Sequence, residues 1–123
     1  MRPGNHERIP TVFEAVKEAA AIIDPDGGED AVIALYEIYE DDDRPTTAVE
    51  DLPGELLSSA EGIDPEGDDG PVLAAAAAAA WLATNPDQAE AGDHVVREGT
   101  RLLFKGNPPD SLSTWLAARG VEA

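Results

Sequence analysis

Apolar residues recur along this chain at intervals of three and four, with no stretch of clean alternation bounded by hairpin turns, so the pattern predicts helices throughout. Val12, Val16, Ala19 and Ile23 form one stripe, flanked by Phe13 and Ala20, while Glu14, Lys17 and Glu18 face away. That is an amphipathic helix over about residues 10–24. A second helix is expected over 29–42, with Val32, Leu35, Tyr36 and Tyr39 on one side; Ile33 and Ile38 widen its apolar arc enough to meet more than one neighbour. Asp41, Asp42 and Asp43 then repel one another at the negative end of the helix dipole, and Pro45 constrains the residue before it. A third helix is expected over 48–60, with Leu52, Leu56, Leu57 and Ala60 facing inward.

Pro71 to Thr84 reads as a fourth helix with proline in its first turn. Its run Ala74 to Ala80 combines the highest helix propensity with the least bulk, so neighbouring helices can approach closely. The run is expected at the centre of the fold, with Trp81 and Leu82 supplying volume at its end. A fifth helix is predicted to start at Pro86, capped by Asn85, and to reach about Lys105 with Val95, Val96, Gly99, Leu102 and Leu103 buried. A sixth, Ser111 to Arg119, carries Leu112, Trp115 and Leu116 and stops at Gly120.

A period underlies these elements. "IDPDGGEDAV" begins at Ile23 and "IDPEGDDGPV" at Ile63, 40 residues later. The same shift places Val12 on Leu52, Val16 on Leu56, Ala20 on Ala60 and Val32 on Val72; a second shift places Val96, Thr100, Leu103, Leu112 and Trp115 on the positions of Leu56, Ala60, Ile63, Val72 and Ala75. The predicted fold is all-α: about six helices as three stacked hairpins, forming a compact bundle or a short solenoid-like array. The units would span about 10–44, 48–84 and 85–120 of a single domain, 10–123, after a flexible N-terminus, 1–9. Each hairpin alone exposes an apolar stripe, so stacking makes the core. The shape is similar to a short piece of a HEAT-type or tetratricopeptide-type array, without the signature residues of those repeats.

Charge narrows the function classes. The formal net charge is -18, from 26 Asp and Glu against 8 Lys and Arg, and direct binding to a phosphate backbone is disfavoured. Acid excess with only two lysines fits adaptation to high salt, and a GC-rich genome favours a similar composition. The absence of cysteine excludes disulfides, thiolate nucleophiles and thiolate-bound metals. The longest apolar run, Pro71 to Ala83, is 13 residues long and too short to span a bilayer. No signal peptide or lipidation motif is recognisable, and a cytoplasmic location is expected.

Three constellations are candidates for chemistry. The acidic loops supply Asp64, Glu66 and Asp68 at the first, third and fifth positions of an EF-hand-like loop, but put Asp69 where glycine belongs and Ala75 where the bidentate glutamate belongs. They read chiefly as a helix-to-helix joint written twice. Glu90, His94 and Glu98 are spaced one turn apart, as a helical metal site would need. Arg97, Arg101 and Lys105 make a basic stripe suited to an anion or a partner, or to pairing with Asp93, with Glu98 or with the carboxylates of residues 40–43. Nucleophilic catalysis has little support: the two histidines, His6 and His94, accompany no serine elbow. No cofactor motif is present.

The expected function is that of a non-enzymatic helical module binding another protein, with self-association also open. The alternatives are an acidic nucleic-acid mimic or inhibitor, and a carboxylate- or metal-dependent enzyme.

Overall fold

Thr11 opens the first helix of the computed structural model, which describes residues 9–105 and 107–121. The flexible N-terminus expected over 1–9, and His6 within it, therefore lie outside the described residues except for Ile9. Helix α1 is Val12–Ile23. Its capping box is complete: the Glu14 N–H donates to Thr11 Oγ1 at 3.1 Å, and the Thr11 N–H donates to Glu14 Oε1 at 3.0 Å. The next two free donors are satisfied from a distance, because the N–H groups of Val12 and Phe13 donate to the carbonyls of Arg44 and Asp42 at 2.8 and 3.1 Å. The segment after the second helix thus returns to seal the start of the first, and Thr11 and Pro45 form an isolated antiparallel bridge.

Helix α2, Asp30–Ile38, ends at Tyr39, a few residues before the expected stop, so the carboxylates of Asp41 to Asp43 stand beyond its last turn. Thr46–Ala48 is a single 3₁₀ turn. Helix α3, Leu52–Ile63, begins later than the apolar spacing suggested because Asp51 caps it, accepting from the Gly54 N–H at 3.2 Å, with Pro53 in the first turn. Helix α4, Gly70–Thr84, is capped by Asp69, which accepts from the Val72 N–H at 3.0 Å.

The fifth helix corrects the sequence reading. Asn85 does not cap a helix that starts at Pro86; its side-chain amide donates back to the Trp81 carbonyl at 3.0 Å and closes α4. Pro86–Gln88 makes one 3₁₀ turn, and helix α5 is Gly92–Phe104. Its buried face is Val95, Val96, Gly99 and Thr100, whereas Leu102, expected inside, is 40% exposed. Thr100 is tolerated in the core because its hydroxyl donates to the Val96 carbonyl at 2.8 Å. Helix α6 is Asp110–Ala118.

The 40-residue spacing governs all three units: α1, α3 and α5 begin at Val12, Leu52 and Gly92, and α2, α4 and α6 at Asp30, Gly70 and Asp110. The units form a closed bundle rather than a row. Helix α4 packs against each of the other five, most extensively against α5 and α1, and α1 packs more extensively on α4 than on its own hairpin partner α2. Val72 to Ala80, Leu82 and Ala83 are all buried, so α4 is enclosed on every side. Seven small side chains in succession let five helices converge on one.

Candidate functional site

The two acidic loops match atom for atom. Asp24 accepts from the N–H groups of Gly28 and Glu29, both at 2.9 Å; Asp64 accepts from those of Asp68 and Asp69 at 3.1 and 2.7 Å. In both, the aspartate carbonyl accepts from a glycine three residues on, at 3.1 Å, and that glycine, Gly27 or Gly67, has φ of 70° or 71°. The third joint keeps only this backbone bond, from the Asn107 N–H to the Phe104 carbonyl at 2.9 Å. Both oxygens of Asp24 and of Asp64 are thus engaged by the turns they shape. Glu66 and Asp68 are exposed beside Asp64.

Glu90 lies in the turn ahead of α5, so only His94 and Glu98 of that trio share the helix. His94 sets its ring edge-on to Trp81, with centroids 6.1 Å apart, and Glu98 Oε2 takes Arg101 Nη1 at 3.3 Å. Among the described residues no three histidine, aspartate or glutamate side chains gather as a metal-holding group.

The basic stripe divides by position. Arg97 places Nη2 3.4 Å from His94 Nδ1 and Nε 3.9 Å from Glu98 Oε2, and Nε is buried without a hydrogen-bond acceptor. Arg101 pairs with Glu98 as its spacing implied. Lys105 closes α5 in the left-handed conformation, φ 53°, its N–H donating to the Arg101 carbonyl at 2.9 Å. Asp93 turns away from Arg97 and meets Arg119 Nη2 at 3.6 Å. The carboxylate expected to dock the stripe is taken by another cation: Arg44 reaches Asp42 at 2.6 Å and Glu55 at 2.8 Å. That hydrogen bonding holds Asp42 below the ordinary carboxylate range and raises Arg44 further above its own. Close by, burial pushes the Tyr39 phenol up, while its hydrogen bond with Ser59 at 2.7 Å lowers it by a smaller amount.

A strongly apolar opening lies elsewhere, between α1 and α2. This cleft of about 370 Å³ has Ala20, Ala21, Val32 and Ile33 as its apolar surface, with Lys17 and Tyr36 toward one end and Asp24 and Gly27 at the joint. Ile33 is 36% exposed there, and Ile38 farther along α2 is 53% exposed. Phe13 supports the end of the cleft by meeting Tyr36 edge to face, with centroids 5.2 Å apart.

Its counterpart in the second unit is a cleft of about 330 Å³ lined by Leu57, Glu61, Asp64, Gly67 and Leu73, which stand at the positions of Lys17, Ala21, Asp24, Gly27 and Ile33. That second cleft has another wall, Phe104 and Pro109, supplied by the last residue of α5 and the joint that follows it. Sequence reasoning missed these clefts, although the signal was present: Ile33 and Ile38 make the apolar arc of α2 wider than one neighbour can cover.

No family model, no curated protein and no solved structure matches this chain. Among the described residues, no helix is long and apolar enough to cross a membrane.

Proposed function

We propose that this protein is a non-enzymatic binding module that holds a segment of another protein in the cleft between α1 and α2. The observation that carries this reading is the cleft's composition: an open, apolar surface with Ile33 more than one-third exposed, on a chain whose surface is otherwise dominated by carboxylates. Its polar groups suit docking better than catalysis. Asp24 is engaged by the backbone of its own joint, and Lys17 and Tyr36 stand toward one end of the cleft, away from that joint. Helical scaffolds offer such grooves to short segments of partner chains, with apolar anchors supplying affinity and the rim supplying selectivity.

A photo-crosslinking residue in place of Ile33, exposed to the native cell extract, tests this reading. The expected product is a discrete protein adduct that does not form when the same probe replaces Glu66. Adducts of equal yield at both positions, or none at Ile33, would count against a docking cleft.

A further inference from the structure

Among the described residues the two equivalent clefts differ in what lines them, and the difference suggests what the first one accepts. In the second unit the floor at Leu57 and Leu73 faces Phe104 and Pro109, which the chain brings from the last residue of α5 and the joint that follows it. In the first unit, Ile33 occupies the position of Leu73, while the lining consists of residues from α1, α2 and their own joint. The joints beneath both clefts share one hydrogen-bond pattern and one left-handed glycine, so the two floors are built on the same backbone frame.

Resting on the docking reading above, we infer that the α1–α2 cleft accepts a partner segment chemically like the one that walls the second cleft: an aromatic side chain followed within a few residues by proline, accompanied by lysine or arginine. The aromatic and proline requirements follow from Phe104 and Pro109. The basic requirement follows from charge. Glu29, Asp30, Glu37 and Glu40 are exposed along α2 and at its ends, against the single cation Lys17 on the two helices that form the cleft. Where the second cleft has Leu57, Lys17 also offers an ammonium within reach of an incoming ring face, a contact unavailable in the second unit. A second copy of this chain is disfavoured as the occupant, because each copy carries a net charge of -18 and its own Phe104 already packs against its own core.

The test uses the full chain, isotope-labelled, titrated with synthetic peptides and followed by amide chemical shifts. The first peptide has the sequence of residues 102–109, Leu-Leu-Phe-Lys-Gly-Asn-Pro-Pro; the second replaces its phenylalanine with alanine; the third is an amphipathic helical peptide of equal charge lacking aromatic residues and proline. The first peptide is expected to perturb α1 and α2 with a Kd below about 1 mM. The alanine peptide should bind at least about tenfold more weakly, as should the first peptide to Ile33→Asp. Ile33→Ala, which removes the exposed apolar surface without introducing a charge, provides a second variant should Ile33→Asp fail to fold.

Equal binding of the first two peptides would overturn the proposal, as would insensitivity to both variants or no binding at that concentration. Concentration-dependent dimerisation that covers Ile33 would overturn it in favour of a second copy. If the third peptide alone binds, in an Ile33-dependent manner, the docking reading stands and the aromatic–proline chemistry falls. If no peptide binds and the crosslinker at Ile33 captures nothing, both fall.

Discussion

Gly99 of α5 rests on the backbone of Ala77 in α4 so closely that a Cβ at position 99 would overlap the Ala77 carbonyl. This crossing of α5 on α4 therefore depends on the absence of one methyl group. In an exposed helix, alanine would be favoured over glycine by about 1 kcal/mol. At position 99 overpacking reverses the sign, and Gly99→Ala is expected to destabilise the fold by about 1–3 kcal/mol in urea unfolding. Gly62 in α3 has open space where its Cβ would lie, so Gly62→Ala should be neutral or stabilising by up to about 1 kcal/mol. Equal effects at the two sites would show that the crossing is looser than described.

The joints make a paired prediction. Asp24→Ala and Asp64→Ala each remove a carboxylate that accepts two backbone N–H groups. Each should cost about 1–2 kcal/mol. The larger loss is expected at Asp64, because Ser111 of α6 donates to the Gly67 carbonyl within that joint and is misplaced with it. Chemical denaturation of the two variants and of Ser111→Ala measures the order. Calcium at millimolar concentration should leave the wild-type melting temperature unchanged, since both oxygens of Asp64 are already engaged.

Stability should fall at both ends of the pH scale for identifiable reasons. Asp42 is held below its ordinary range by Arg44, so its contribution is fully present above the unfolded carboxylate pKa of about 4 and disappears as pH falls through the folded value. The stability difference between wild type and Arg44→Gln should accordingly be largest near neutrality and shrink below about pH 4. Tyr39 shifts the other way, above its ordinary 10.0, chiefly through burial. Its contribution is complete below that value and is lost as pH rises through the folded pKa, so Tyr39→Phe should flatten the alkaline limb of the melting-temperature profile.

Added salt should stabilise this protein. With 26 acidic and 8 basic side chains, screening of repulsion outweighs weakening of exposed pairs such as Arg44–Glu55 and Arg101–Glu98. The melting temperature is expected to rise between low salt and about 1 M sodium chloride, where the Debye length is roughly 3 Å. A fall over that range would mean that the ion pairs, and not the net charge, dominate the electrostatics.

The fold was legible because its signals are local. Helix starts near Val12, Gly70 and Asp110 follow from apolar spacing, and the alanine run announces a helix that others can approach on every side, whereas Asp51 moves the start of α3 from the expected 48 to Leu52. The misreading at Asn85 has a physical cause: the asparagine–proline pair suits both the end of one helix and the start of another, and the side chain's bond to the Trp81 carbonyl decides between them. Leu102, expected inside, is exposed, while Thr100 is buried at the position equivalent to the inward-facing Ala60, where its hydroxyl bonded to a carbonyl one turn away is compatible with the core. The α1–α2 cleft was legible only in part: Ile33 and Ile38 mark an apolar arc on α2 wider than one neighbour covers, but which side of that arc stays open is set by long-range packing and has no local signature.

The enclosure of α4 has a consequence for cooperativity. In a row of hairpins, a fragment ending after any unit keeps most of its own contacts. Here a fragment ending at Ile63 would leave α1, α2 and α3 arranged around an empty axis, and one beginning at Gly70 would lack the three helices that cover one flank of that axis. Neither half is expected to fold alone. The chain is expected to unfold in one transition, with fluorescence from Trp81 and Trp115 lost at the same denaturant concentration as helical circular dichroism.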